Sequence, residues 1–146
     1  PSFQSLDLND LVRQELARGM VPEGCTLETA LQEDLPAMEG DPQLLSPAIR
    51  ALVRNAVEAI PAGGTIRVLT CVVDDRVRLE VTDPGGELEP EVLARAFEPF
   101  FTTRRAHAGL GLPLAARVAR AHGGRAFLEV TARRETTAVL ELPAEP

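Results

Sequence analysis

Tryptophan, tyrosine and lysine are absent from this 146-residue chain, and cysteine occurs only twice. Every base is therefore Arg: 15 face 22 acids, for a formal charge of -7. That balance argues against a dedicated nucleic-acid binder and against a polybasic membrane binder. Apolar runs reach only about three residues, which excludes a transmembrane helix, and no signal peptide opens the chain. Cys25 and Cys71 lie far apart, with no CxxC and no Cys/His cluster. They read as buried thiols of a reduced, cytoplasmic protein rather than as a disulfide or metal site. What is present is ordinary globular composition, 45% hydrophobic and 25% charged, at a length suited to one domain and one core. The opening residue is Pro1 rather than Met, so a piece of a longer chain is expected.

Local signals alternate between helix and strand. Asp7 can cap a helix from Leu8 to about Arg18, stopped by Gly19. Weak alternation predicts a strand over 25–32. Asp41-Pro42 supplies an N-cap and a first-turn Pro for a long helix to Ile60, stopped by Pro61 and Gly63-Gly64. Residues 65–73 and 76–82 predict a hairpin turning at Asp74-Asp75. A loop over 83–86, a short helix over 90–96 and an irregular stretch over 97–109 follow. A helix over 110–122 ends at Gly123-Gly124, and two strands over 125–131 and 136–142 close the chain. Hairpins interrupt any pure βαβ order. The expected fold is thus a two-layer α/β sandwich, its sheet mixed and its helices on one face.

Three places depart from their local pattern. In the long helix, Ile49, Leu52, Val53, Ala56, Val57 and Ile60 form the buried stripe. Asn55 falls on its flank, between Ala51, Glu58 and Ala59. Asn is a poor mid-helix residue; it is either a solvated surface amide or a ligand group that small neighbours leave accessible. Asp83 has the parity of the apolar Val77, Leu79 and Val81. Either pairing stops at Thr82 and Asp83 starts a turn, or a core-facing carboxylate accepts from an amino group. Gly109, Leu110, Gly111 and Leu112 open a helix, where bare N–H groups and the helix dipole suit a phosphate. Thr102, Thr103, Arg104 and Arg105 just before them suit an anion, or form an exposed loop. In this order the parts match a purine nucleotide with Mg²⁺: carboxylate to the exocyclic amine, amide to the metal, helix start to the phosphates. No GxxxxGK[ST] occurs, and the glycine turn does not follow a strand, so neither a Walker A nor a Rossmann site is present.

These residues resemble a known family. Leu52-Val53-Arg54-Asn55-Ala56-Val57-Glu58-Ala59 resembles the N box of sensor histidine kinases, and Asp83-Pro84-Gly85-Gly86 their first glycine box. Phe97-Glu98-Pro99-Phe100-Phe101-Thr102-Thr103 is similar to their F box, and Gly109-Leu110-Gly111-Leu112 to the second glycine box. The resemblance implies the Bergerat fold, with a mostly antiparallel sheet, and the compact lid of the nitrogen-regulation class. It implies Mg²⁺ at Asn55, the adenine amine at Asp83, space beside the base at Gly85, and a lid of Thr102, Thr103, Arg104 and Arg105. Glu58 and Ala59 join the ATP site, Gly109, Leu110, Gly111 and Leu112 the phosphate end, and Thr137 supports Asp83 through water. Glu87 and His107 replace box glycines, Pro84 removes a backbone donor, and Ala51 replaces the first N-box Asn. Weaker nucleotide affinity than in an intact member is expected.

Related hydrolases use a carboxylate at the position of Ala51 to activate water; alanine cannot, so hydrolysis by that route is not expected. Phosphoryl transfer needs mainly positioning and charge neutralisation. The implied function is the Mg-ATP-binding catalytic domain of a histidine kinase, its phosphoacceptor histidine lying on a separate helical dimerisation domain. Partners are that domain and a response regulator, with no nucleic acid, the 146-residue piece itself being monomeric and the full protein free to be membrane-anchored. Two alternatives stand beside it: a pseudokinase-like interaction module of the same fold, and a serine-kinase regulator of the anti-sigma type. His122 reads as a helix-end residue.

Overall fold

A computed structural model describes residues 2–84, 111–131 and 133–146. In chain order the elements are β1 (Gln4–Leu6), α1 (Leu8–Leu16), β2 (Thr26–Leu31), β3 (Met38–Gly40), α2 (Pro42–Ala59), β4 (Thr65–Val73), β5 (Arg76–Asp83), α3 (Gly111–Ala121), β6 (Arg125–Val130) and β7 (Thr136–Pro143). The short helix expected over 90–96 and the stretch over 97–109 lie outside the described residues.

Helix starts follow the capping chemistry. Asp7 and Asp41 sit in extended backbone, and each carboxylate accepts from the N–H two residues on, Asn9 and Gln43. Pro42 then occupies the first turn of α2, where its missing N–H costs nothing. The spacing of Leu45, Ala48, Ile49, Leu52 and Ala56 gives α2 one buried apolar face. Each such Leu or Ile contributes roughly 1.5–3 kcal/mol by leaving water.

Five strands form the main sheet in the order β2-β4-β5-β7-β6, and β1 pairs with β3 in a separate two-stranded sheet. Only β2–β4 is parallel; the β4–β5, β5–β7 and β6–β7 pairs are antiparallel. β4–β5 and β6–β7 are the expected hairpins. Asp74 takes the left-handed conformation that a tight hairpin turn needs (φ 56°). Ile66, Val68, Val77, Leu79, Val81, Ala138, Leu140 and Leu142 point to one face of the sheet and join the residues of α1, α2 and α3 in one core. The other face carries the alternate residues. This is the two-layer, mostly antiparallel α/β sandwich that the sequence predicts.

The expected strand ending at Thr82 is one residue longer, because the ladder continues through Asp83 opposite Thr136. The three-residue strands β1 and β3 are not predicted from the sequence. The thiols also differ from expectation: Cys25 and Cys71 are free, as read, but half-buried rather than fully buried. Burial pushes the Cys71 thiol up from its ordinary value. No described helix is long and apolar enough to cross a membrane.

Candidate functional site

Topology brings three of the singled-out positions to one end of the molecule. α2 ends at Ala59 and reaches β4 through five residues, 60–64. The start of β4 lies beside the end of β5, where Arg67 pairs with Thr82. Asn55, about one turn from the end of α2, thus shares an end of the sandwich with Asp83. α3 is followed by β6, whose far end, Val130, pairs with Thr136, the residue that also faces Asp83. An 11-residue helix spans about 16 Å, close to the length of the six-residue β6. The start of α3 at Gly111 therefore returns to the Asp83 end. α2 packs against β5 and α3, so helix flank, strand end and helix start share one end of a packed unit.

Asp83 is 2% exposed and shares the helix-facing side of β5 with Val77, Leu79 and Val81. It is therefore a core-facing carboxylate within the ladder rather than the start of a turn. Asn55 is 4% exposed, which removes the surface-amide reading. Its Oδ1 is buried and accepts no hydrogen bond among the described residues. An unmet buried acceptor costs about 1–3 kcal/mol, and polar groups in that condition call for an explanation. Ala51, buried one turn earlier, offers no polar partner.

The remaining predicted residues divide. Glu58 is exposed and Ala59 half-buried at the end of α2. Leu112 is fully buried in the core, where it anchors α3 rather than presenting its side chain to a ligand. Gly111 is the first residue of α3. Gly85, Thr102, Thr103, Arg104, Arg105, Gly109 and Leu110, with Gly86, Glu87, His107 and the phenylalanines 97, 100 and 101, lie outside the described residues.

Thr137 requires a correction. It pairs with Thr82, not with Asp83, and its Oγ1 lies 2.8 Å from the Thr82 Oγ1. Parity puts both hydroxyls on the face turned away from the described helices, behind Asp83. The threonine on the Asp83 side is Thr136, its direct cross-strand partner and 2% exposed. Extending the period-2 pattern of β5 by one residue and pairing it with 136–143 would have found Thr136 from the sequence.

His122 fills a structural role, as expected. Its Nδ1–H donates to the Val118 carbonyl at 2.8 Å, while its Nε2 accepts from the Asp41 N–H at 3.1 Å. Phe3 stacks on the ring with centroids 4.7 Å apart. The imidazole thereby joins the end of α3 to the start of α2, at the end of the sandwich away from Asp83.

Comparison with known proteins agrees with this arrangement. Sensor histidine kinase ZraS of Escherichia coli strain K12 is 29% identical over 145 residues, covering 97% of this chain and 31% of ZraS. The chain thus spans about a third of that relative's length. The catalytic domain of histidine kinase ThkA, in a nucleotide-free form, superposes with a TM-score of 0.85 at 25% identity, over 100% of this chain and 99% of that one. Full-length ShkA in complex with AMPPNP superposes with a TM-score of 0.83 at 28% identity, over 98% of this chain and 31% of that one. The family described as histidine kinase-, DNA gyrase B- and HSP90-like ATPase matches residues 40–146. Since that match takes in α2, both hairpins and α3, the elements that carry Asn55, Asp83 and the helix start, the chain belongs to this ATPase family, among the catalytic domains of sensor histidine kinases.

Proposed function

We propose that this chain is the Mg-ATP-binding catalytic domain of a longer sensor histidine kinase, and that it serves phosphoryl transfer to a histidine on a separate helical domain. The observation that carries the reading is the buried, unpartnered Oδ1 of Asn55 at the same end as the core-facing Asp83. An amide oxygen suits a hard cation. Among the described residues no group of three or more His, Cys, Asp or Glu could hold a metal. The fit is therefore to Mg²⁺ that arrives with a nucleotide, most of its ligands coming from phosphate and water. When bound, the ion would neutralise charge on the phosphates. Asn55 would supply an oxygen ligand, Asp83 would accept from the adenine amine, with Thr136 beside it, and the N–H groups at the start of α3 would face the phosphates. Gly85, Thr102, Thr103, Arg104, Arg105, Gly109 and Leu110 complete the site in this reading. A response regulator is the partner downstream, and the cytoplasm, where ATP is plentiful, is the compartment.

The unmet acceptor also favours this reading over a pseudokinase-like module, which would gain stability by filling that position with an apolar side chain. Calorimetric titration with a non-hydrolysable ATP analogue, with and without Mg²⁺, tests it. Saturable binding that strengthens with Mg²⁺ and weakens in Asp83→Asn is expected. No binding at millimolar analogue would overturn it.

A further inference from the structure

The sheet face turned away from the helices carries a cavity that the nucleotide reading does not use. Its volume is about 320 Å³, and Glu28, Arg67, Leu69, Thr82, Glu129 and Thr137 contribute to its lining. Strand register explains why they meet. Glu28 lies beside Arg67, Arg67 beside Thr82, Thr82 beside Thr137, and Thr137 beside Glu129. One row of side chains thus crosses all five strands on a single face, reading acid, base, hydroxyl, hydroxyl, acid.

Two independent features of this row point to a ligand. The first is the hydroxyl pair. Thr82 and Thr137 are 8% and 2% exposed, and their oxygens lie 2.8 Å apart. Two hydroxyls bring two donatable hydrogens, and the bond between them uses one. The other has no acceptor among the described residues and is free to point into the cavity that both threonines line. The second feature is charge. Arg67 Nη2 is committed to Glu135 Oε1 at 2.6 Å, whereas the exposed Glu28 has no ion pair among the described residues. At the far end Glu129 meets Arg78 at 3.1 Å but keeps 48% of its side chain exposed. Between the acids, Leu69, Ala30 and the threonine methyls supply apolar surface. Such a row is complementary to a positive group at the Glu28 carboxylate, an acceptor for the spare hydroxyl hydrogen, and a short apolar body between them.

We propose that this cross-strand row is a second binding site, for a guanidinium compound that also carries a neutral hydrogen-bond acceptor. An arginine residue of a peptide and a free guanidino metabolite share that chemistry. The site stands apart from the nucleotide reading, since it lies on the opposite side of the sheet from Asp83.

The test is an amide chemical-shift titration of the ¹⁵N-labelled 146-residue chain with N-acetyl-argininamide. Saturable shifts centred on residues 28, 69, 82, 129 and 137 are expected. Glu28→Gln, on an exposed rim, should weaken binding about tenfold, as should propylguanidinium, which lacks the acceptor. A short peptide with one internal arginine that binds more tightly than the amide assigns the site to a protein segment, and equal affinity assigns it to a free metabolite. Absence of saturation at about 20 mM would overturn the proposal. So would shifts spread over the acidic surface and unaffected by Glu28→Gln, which mark general attraction of a cation to a chain of net charge -7.

Discussion

Asn55→Leu exchanges an amide for a side chain of the same branching and heavy-atom count, somewhat bulkier, at a position 4% exposed. In the nucleotide-free chain the exchange removes an acceptor that makes no hydrogen bond. Relief of that unmet group is worth about 1–3 kcal/mol, and leucine's better helix propensity adds a few tenths of a kcal/mol. A domain of this size gains about 2–4 °C in Tm per kcal/mol, so melting should rise by about 3–13 °C. Most core substitutions destabilise, which makes the sign itself informative. The same exchange deletes the oxygen assigned to the metal. A hydrogen bond or ligand contact to a charged group is worth about 1.5–3 kcal/mol, so Mg-dependent nucleotide affinity should fall about 10- to 150-fold. Differential scanning calorimetry without nucleotide and isothermal titration with Mg²⁺ and an ATP analogue read the two effects separately. A lower Tm together with unchanged Mg-dependent affinity would refute the reasoning, because Asn55 would then be a structural amide.

Three further outcomes follow from the packing. Glu15 is buried to 5% of its side chain and held by Arg50 at 2.7 Å and Arg18 at 3.1 Å; Arg50→Ala should cost about 1–2 kcal/mol in urea denaturation, less than a fully buried pair because Arg18 remains. Gly124→Ala would drive a Cβ into the Glu141 backbone carbonyl, so a loss of about 3 kcal/mol or failure to fold is expected, and a wild-type melting curve would contradict the β6–β7 geometry. The N–H groups of Ser2 and Gln43 hold the Asp41 carboxyl below its ordinary 3.8. The folded chain therefore releases that proton at lower pH than the unfolded chain, so the stability it contributes is present above about pH 4 and is lost as pH falls further. Asp41→Asn should flatten the acid limb of a denaturation series from pH 6 to about pH 3.

Much of the fold was legible because its signals are local. Caps at Asp7 and Asp41, stops at Gly19 and Gly63, the β-rich run over 65–73 and the alternation in 76–82 place elements to within about two residues. β1 and β3 escaped because three residues carry no readable period; what makes them strands is each other, through the Gln4–Gly40 to Leu6–Met38 register. The site divides along the same line. The parity of Asp83 is a sequence property, and it holds. Whether Asn55 is buried depends on what the fold packs against α2, which no local pattern reports. Resemblance points to Thr137, whereas register with β5 and the parity of Ala138, Leu140 and Leu142 put Thr136 on the Asp83 side. The Thr82–Thr137 hydroxyl pair lies 55 residues apart in sequence, so nothing short of the assembled sheet brings it together.

The imidazole that bonds to both the Asp41 N–H and the Val118 carbonyl fastens two antiparallel helices at one extremity. At the other extremity stand Asn55 and Gly111. The two helices also pack on one another between these ends, and Leu112, beside Gly111, is fully buried. The gap at the Asn55 end is therefore set by that packing as well as by the pinned corner, and widening it would bring core leucine into water.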